Sequence, residues 1–431
     1  VVPKTVFLYG LVLVGLSALH LRTGLGDQGD YGRSVGFLLE RPAGWAGGAP
    51  KLRTPERALL REYWHDRWAI AEDAPRVAWI KGPSTYKALL AAQVGFDTLL
   101  TRDREYSFTL GSLLTRVLFL AGIVALVARG ARRLSSGAAV TLGLVLAVVA
   151  LESSFVAFLN SAYEDQVAIV LLPWLALLVW KAADAPRSRG AAIGALAVAA
   201  VIGASKTQLF YLPILVAPFV WGALTAATVA RSRRRAVVAA VGAVVLAAVF
   251  AAAPVPLTPW KGINAYHALY KGLLREMGPA ELAAARPGGR AVVRECVGVS
   301  PWSATGPECL DKTGPLGHAD ALAVALRHPR ATLRMVRHGL ALAGDLEFAY
   351  LGKAAWDPVR QAPEPTWADA AVFGVWRAVH RTLGVGVVLI SLAAAAAAFV
   401  LSRASAPSAF GRTALLLALF GASQYLAAFG D

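Results

Sequence analysis

The sequence predicts an all-α polytopic membrane protein of about nine transmembrane helices, with interfacial helices in two large extracytoplasmic loops. Three observations carry this. The chain is 57% hydrophobic and only 16% charged, whereas soluble domains run near 45–50% and about 25%. Apolar runs close to the roughly 20 residues of a membrane span recur at 5–22, 109–128, 137–159, 166–180, 190–205, 208–230, 236–254, 383–402 and 413–429. The charge is also unevenly placed. The short connections on the expected inner side hold thirteen bases, from Lys4 through Arg129, Arg132, Arg133 and Lys181 to Arg403 and Arg412, against the single acid Asp184. Those segments supply +12 of the formal +16, which is the positive-inside pattern.

The pI of about 10.2 follows from that asymmetry. No basic-aromatic motif accompanies it, so the expected partners include membrane lipids and no nucleic acid. The first run, 5–22, has the length of a span and no small-x-small cleavage site after it, so it is expected to be retained rather than removed as a signal peptide. The chain divides into an N-terminal transmembrane module, 1–254, which includes a first outer loop at 23–108. A second outer loop follows at 255–382, then the C-terminal helices at 383–431.

The loop after span 1 reads Gly26-Asp27-Gln28-Gly29-Asp30-Tyr31-Gly32-Arg33. Two carboxylates three apart, an aromatic and an arginine at a membrane rim suit chemistry on a lipid-borne substrate. An ordinary turn with an aspartate capping the next helix is the competing reading. Further along this loop a helix is expected over 31–40. The aromatic cluster at 63–68 suits helices at headgroup depth, where Trp and Tyr prefer to lie.

Spans 3 and 4 meet in a tight outer turn carrying Asn160, Tyr163, Glu164, Asp165 and Gln166. It reads either as a solvated turn or as more of the same polar rim. Inside the spans, Arg116 and Glu152 lie at matching depths and are expected to pair, as a structural contact or as a relay. The 41 residues of 190–230 would make one helix about 60 Å long, so a hairpin is expected, broken at Ser205-Lys206-Thr207-Gln208. Lys206 at that tip either snorkels or neutralises a lipid phosphate, a task Arg33 could share with bidentate geometry.

In the second outer loop helices are expected over 266–277 and 319–343. Cys296 and Cys309 both fall here, on the oxidising side, and are expected to form a disulfide. His267 and His318 stand beside no serine or cysteine nucleophile motif.

Several strings resemble a bacterial group within the GT-C superfamily of membrane glycosyltransferases. They are Gly29-Asp30-Tyr31-Gly32-Arg33, Phe158-Leu159-Asn160-Ser161-Ala162-Tyr163-Glu164, Ala204-Ser205-Lys206-Thr207-Gln208, and Asn264-Ala265-Tyr266-His267-Ala268-Leu269-Tyr270-Lys271-Gly272. The order of the strings carries more weight than any one of them. The resemblance implies a GT-C-type bundle in the bacterial cytoplasmic membrane, with its active site on the extracytoplasmic side. It implies a sugar donor on polyprenyl phosphate and a glycan or lipid-linked acceptor.

Carried over by position, Asp30 is the general base and Asp27 its supporting carboxylate. Lys206 and Arg33 become the phosphate clamp, with Tyr31, Gln208, Asn160, Tyr163, Glu164, Asp165, Tyr266 and His267 as further substrate contacts. No cofactor is certain, although the aspartate pair could hold Mg²⁺ or Mn²⁺ as oxygen ligands. The chain departs from larger members in having about nine spans rather than eleven or more. It stops soon after a span, as a truncated or a compact member would. The rival reading is a transporter or flippase of lipid-linked glycans, which would gather its polar residues at mid-membrane on repeated, broken helices. A non-catalytic envelope scaffold is a third.

Overall fold

The computed structural model describes residues 4–19, 38–42, 67–71, 84–151, 158–160, 163–184, 188–206, 209, 211–225, 263, 265–301, 305–342, 382, 393 and 407–428. They are mostly helical. In chain order the membrane module comprises α1 (Lys4–Leu19), β1 (Leu39–Pro42), β2 (Arg67–Ile70), α2 (Thr85–Thr101), β3 (Glu105–Ser107), α3 (Phe108–Arg133), α4 (Ser136–Ala150), α5 (Asp165–Asp184), α6 (Arg189–Gly203) and α7 (Leu212–Thr225). A separate unit, 265–342, follows, described below, and α12 (Pro407–Ala428) closes the described chain.

Two helices, α3 and α5, are each long and apolar enough to cross a membrane, and α1, α4, α6, α7 and α12 contain shorter apolar stretches. Their outward faces carry large apolar side chains such as Phe7, Leu11, Val117, Leu144, Ile193 and Ile214, all more than 40% exposed. A soluble bundle would place charge there. The expected spans at 236–254 and 383–402 lie outside the described residues, apart from Ala393.

Helix α5 is the hub. On one side it meets α3 at Gly122, where an added Cβ would stand 2.9 Å from Pro173 Cβ and 3.0 Å from Trp174 Nε1. The missing side chain is what lets the two helices approach, and Trp174 Nε1 then donates to the Leu118 carbonyl at 2.9 Å. On the other side Leu175, Val179 and Ala182 pack on α6 through Ala191, Ala192, Ala195 and Ala199. Small residues spaced three and four apart allow this close helix contact in lipid. Val216 and Val220 of α7 with Leu416 and Phe420 of α12 complete that core. Helix α1 buries Val6 and Leu13, and Tyr9 donates to the Gly143 carbonyl of α4 at 2.9 Å.

The segment between α1 and α3 corrects the all-helical expectation. Strands β1, β2 and β3 form an antiparallel sheet in that order. Residues 39–40, expected to end a helix, open β1, and Trp68 of the aromatic cluster lies in β2. Alternation explains this: Trp68 pairs with Tyr106 and both are buried, while the neighbouring Arg67 and Glu105 bridge at 3.2 Å on the open face. The inner face packs Leu39, Trp68 and Tyr106 against Tyr86, Leu90 and Val94 of α2 and Val167 of α5.

The unit 265–342 has its own core. A π-helical stretch, His267–Leu273, runs into a 3₁₀ turn, Leu274–Glu276. It is followed by α8 (Pro279–Ala284), α9 (Gly306–Thr313), α10 (His318–Arg327) and α11 (Pro329–Leu342). The helix expected over 319–343 is therefore two, because Pro329 removes an amide donor and restricts the residue before it. Gly314 ends α9 with φ +68°, a backbone that non-glycine residues rarely adopt. Glu281 receives the Gly278 amide at 2.9 Å and pairs with Arg334 at 2.5 Å, tying α8 to α11.

Cys296 and Cys309 are joined in a disulfide inside this core. Closing a loop of this size stabilises a fold by about 3 kcal/mol. Replacing both cysteines by serine should make 265–342 markedly more sensitive to limited proteolysis in the full chain, while leaving the membrane helices resistant.

Candidate functional site

The bundle has two chemically different ends. At one lie Arg129, Arg132 and Arg133 of α3, Lys181 and Asp184 of α5 and Arg189 of α6. At the other the N-terminus of α5 faces the α6–α7 turn, and this polar end gathers most of the described residues singled out in the sequence.

Asp165 opens α5, where a carboxylate is favoured by the helix N-terminus. Lys206, at the break between α6 and α7, donates to both its oxygens, at 3.2 Å and 3.0 Å. Both side chains keep access to solvent, at 27% and 30% exposure. The turn carrying Lys206 is held by α2: Ser84 Oγ donates to the Ser205 carbonyl at 2.8 Å and Thr85 Oγ1 to the Val201 carbonyl at 2.7 Å. Ser84 also caps α2 by accepting from the Tyr86 amide.

Tyr86 follows, 1% exposed. Burial first, and then the negative charge of Glu164, push its phenol pKa well above the usual value. It stays a protonated donor, and its hydroxyl has no hydrogen-bond partner among the described residues. Tyr163 is buried with its ring edge-on to Phe158 at 5.2 Å. Lys87 of α2, also buried, is a second cation near this end.

Beneath this layer is a buried polar network. Arg116 donates to Asn160 Oδ1 at 2.8 Å, to the Ser17 carbonyl at 3.3 Å and to Ser112 Oγ at 3.4 Å. Gln93 of α2 donates to Thr115 at 3.3 Å and to Gln166 at 3.2 Å, and accepts from the Tyr106 hydroxyl at 3.3 Å. Gln166 in turn donates to the Leu159 carbonyl at 2.6 Å. Asp97 accepts the Ser107 amide at 2.9 Å.

Of the residues expected from the sequence, Asn160, Tyr163, Glu164, Asp165 and Lys206 thus share one end of the bundle. Asp27, Asp30, Tyr31, Arg33 and Gln208, and Glu152, the expected partner of Arg116, lie outside the described residues. Tyr266 and His267 belong to the unit 265–342. Tyr266 is fully buried, stacked on Tyr270 at 5.0 Å and donating to the Cys296 carbonyl, which gives it a packing role. His267 has its pKa lowered to about 4, by burial and then by the charge of Lys271.

Sequence reasoning missed α2. Its buried residues Tyr86, Leu90, Gln93, Val94 and Asp97 recur at helical spacing. Polar groups on that inward face were the available signal. Among the described residues no three His, Cys, Asp or Glu side chains converge to hold a metal. The adjacent carboxylates are Glu164 and Asp165, the latter engaged by Lys206.

A helical chain with apolar outward faces and charge gathered at its two ends is built for a bilayer. Within that class, the chain belongs to the family of the YfdI N-terminal transmembrane domain, whose model matches residues 2–285. That range takes in the whole polar end, from α1 through α7. No curated protein and no solved structure matches the chain.

Two predictions separate structural from functional roles. Lys206→Ala breaks a half-exposed pair and should cost under about 1 kcal/mol. Asn160→Leu strips a buried guanidinium of an acceptor and should cost about 1–3 kcal/mol. Chemical unfolding in detergent checks both. For His267, the depressed pKa means that the unfolded chain binds the proton first. Stability of the unit 265–342 should therefore fall as pH drops from about 6.5 towards about 4, and His267→Gln should flatten that slope in pH-dependent proteolysis.

Proposed function

We propose that the chain is a GT-C-type integral membrane glycosyltransferase, with about nine spans, that moves a sugar from a polyprenyl-phosphate donor to a glycan or lipid-linked acceptor. The observation that carries the reading is the convergence at the polar end. Lys206 and Asp165 meet there beside the buried Arg116–Asn160 contact, and Arg116 also holds the carbonyl of Ser17 near the end of α1. Asp27 and Asp30 follow Leu19, the last residue of α1, by eight and eleven residues in the sequence. A transporter would be expected to concentrate such groups at mid-membrane.

In the proposed reaction Asp30 takes the proton of the acceptor hydroxyl while that oxygen attacks the anomeric carbon. The bond from that carbon to the phosphate oxygen breaks, and its electron pair leaves with the polyprenyl phosphate. Positive charge placed where the leaving phosphate develops its charge lowers the barrier. Arg33 and Lys206 are assigned that task, with Asp165 holding the ammonium in place until the donor phosphate competes for it. Asp27 supports the base. Tyr86, protonated and buried beside Glu164, is a further donor toward the sugar. One displacement by an external hydroxyl inverts the anomeric centre. The bases at the opposite end of α3, α5 and α6 support an orientation with the polar end outside, across a bacterial cytoplasmic membrane.

A transfer assay in membranes, with a panel of radiolabelled polyprenyl-phosphate sugars, tests this. Asp30→Asn should lower transfer by about 10²–10⁴-fold, the usual worth of a general base, with folded protein recovered at native yield. Transfer undiminished in both Asp30→Asn and Asp27→Asn would remove the base assignment. No transfer from any donor, together with flipping of a lipid-linked glycan, would replace the enzyme by a transporter.

A further inference from the structure

Between α1 and α3 runs a cavity of about 770 Å³, a volume typical of ligand sites. Its walls are almost wholly apolar, from Val6, Leu11 and Val14 of α1 to Val117, Leu120 and Val124 of α3. It reaches from Arg116 near the polar end to Arg132 at the basic end, sixteen residues or about 24 Å along α3, most of a hydrocarbon core about 30 Å thick. At the basic end Leu177 and Lys181 of α5 complete it.

The cations of α3 and α5 at this end are not alike. Asp184 pairs with both Arg129 and Arg133, and Arg129 also lies over the ring of Trp180. Arg132 and Lys181 line the cavity and have no carboxylate partner among the described residues. An apolar trough that ends in two uncompensated cations matches one molecule abundant around a membrane domain: a lipid with an apolar chain and an anionic head. Basic pockets between spans hold phosphate headgroups in this way.

We propose that this groove is a binding site for an anionic glycerophospholipid, with one acyl chain lying between α1 and α3 and its phosphate between Arg132 and Lys181. The site lies at the end of the bundle opposite the proposed transfer chemistry. It follows from the membrane-embedded fold alone and does not rest on the glycosyltransferase reading. The lipid would act as a wedge, filling a seam that the two helices do not close by direct contact.

The test reconstitutes the full chain in nanodiscs of phosphatidylglycerol and phosphatidylcholine, extracts it with a delipidating detergent, and counts retained lipid by native mass spectrometry. One phosphatidylglycerol per chain is expected to survive. Retention should fall roughly twenty-five-fold in the double variant Arg132→Gln/Lys181→Gln, at about a factor of five per cation. It should also be lost in Ala121→Trp, which fills the exposed groove wall without changing charge. Arg412→Gln, an exposed base of α12 that does not line the groove, should retain the lipid, and a monodisperse elution peak verifies that each variant is folded. Equal retention of phosphatidylcholine, an unchanged count in the double variant, or selective retention of an added isoprenoid phosphate instead would each overturn the assignment.

Discussion

The amide of Gln93 is the contact on which the polar end depends. A side chain on α2 reaches into the bundle and bonds to α3 through Thr115 and to α5 through Gln166, while β3 reaches it through Tyr106. Each of these groups is buried, and an unpaired amide there would carry its full desolvation penalty. Satisfying them together fixes α2 in position and rotation. Position then passes outward: α2 sets the turn that bears Lys206, and that turn sets Lys206 against Asp165.

Below this layer the bundle is organised by size rather than polarity. Lipid tails are as apolar as leucine, so packing and backbone approach have to hold the helices together. Gly122 against Pro173 and the alanine face of α6 against α5 both follow that logic. The same logic leaves one seam imperfectly closed. Helix α1 meets α3 at Gly10 and Leu13, yet an open trough runs beside those contacts.

Much of this was legible in the amino acids, and for physical reasons. A 41-residue apolar run exceeds a bilayer, so the break at Ser205 and Lys206 was forced by length. Charge asymmetry placed the basic end of α3, α5 and α6 together before any packing was known. The grouping of Asn160, Glu164, Asp165 and Lys206 at one rim followed from span counting, but the bond from Lys206 to Asp165 did not, because it depends on how α6 rotates against α5. Strands β1 to β3 were illegible for a different reason. Each is three or four residues long, and β2 finds its partners more than 20 residues away on either side, so no local period announces it. Helix α2 lay within a loop expected to rest on the headgroups, and only its inward-facing Gln93 and Asp97 hinted at a deeper seat.

The staple between α2 and the α6–α7 turn has a consequence for biogenesis. Ser84 and Thr85 are bonded to carbonyls 121 and 116 residues further along the chain. At synthesis rates of about 5–20 residues per second, α2 leaves the ribosome about 6–24 s before its docking surface exists. During that interval α2 can already pack on β3, α3 and α5, but Ser84 and Thr85 have no turn to hold. Assembly of the polar end is thus a late event, completed only after α6 and α7 have entered the membrane, however early its residues are made.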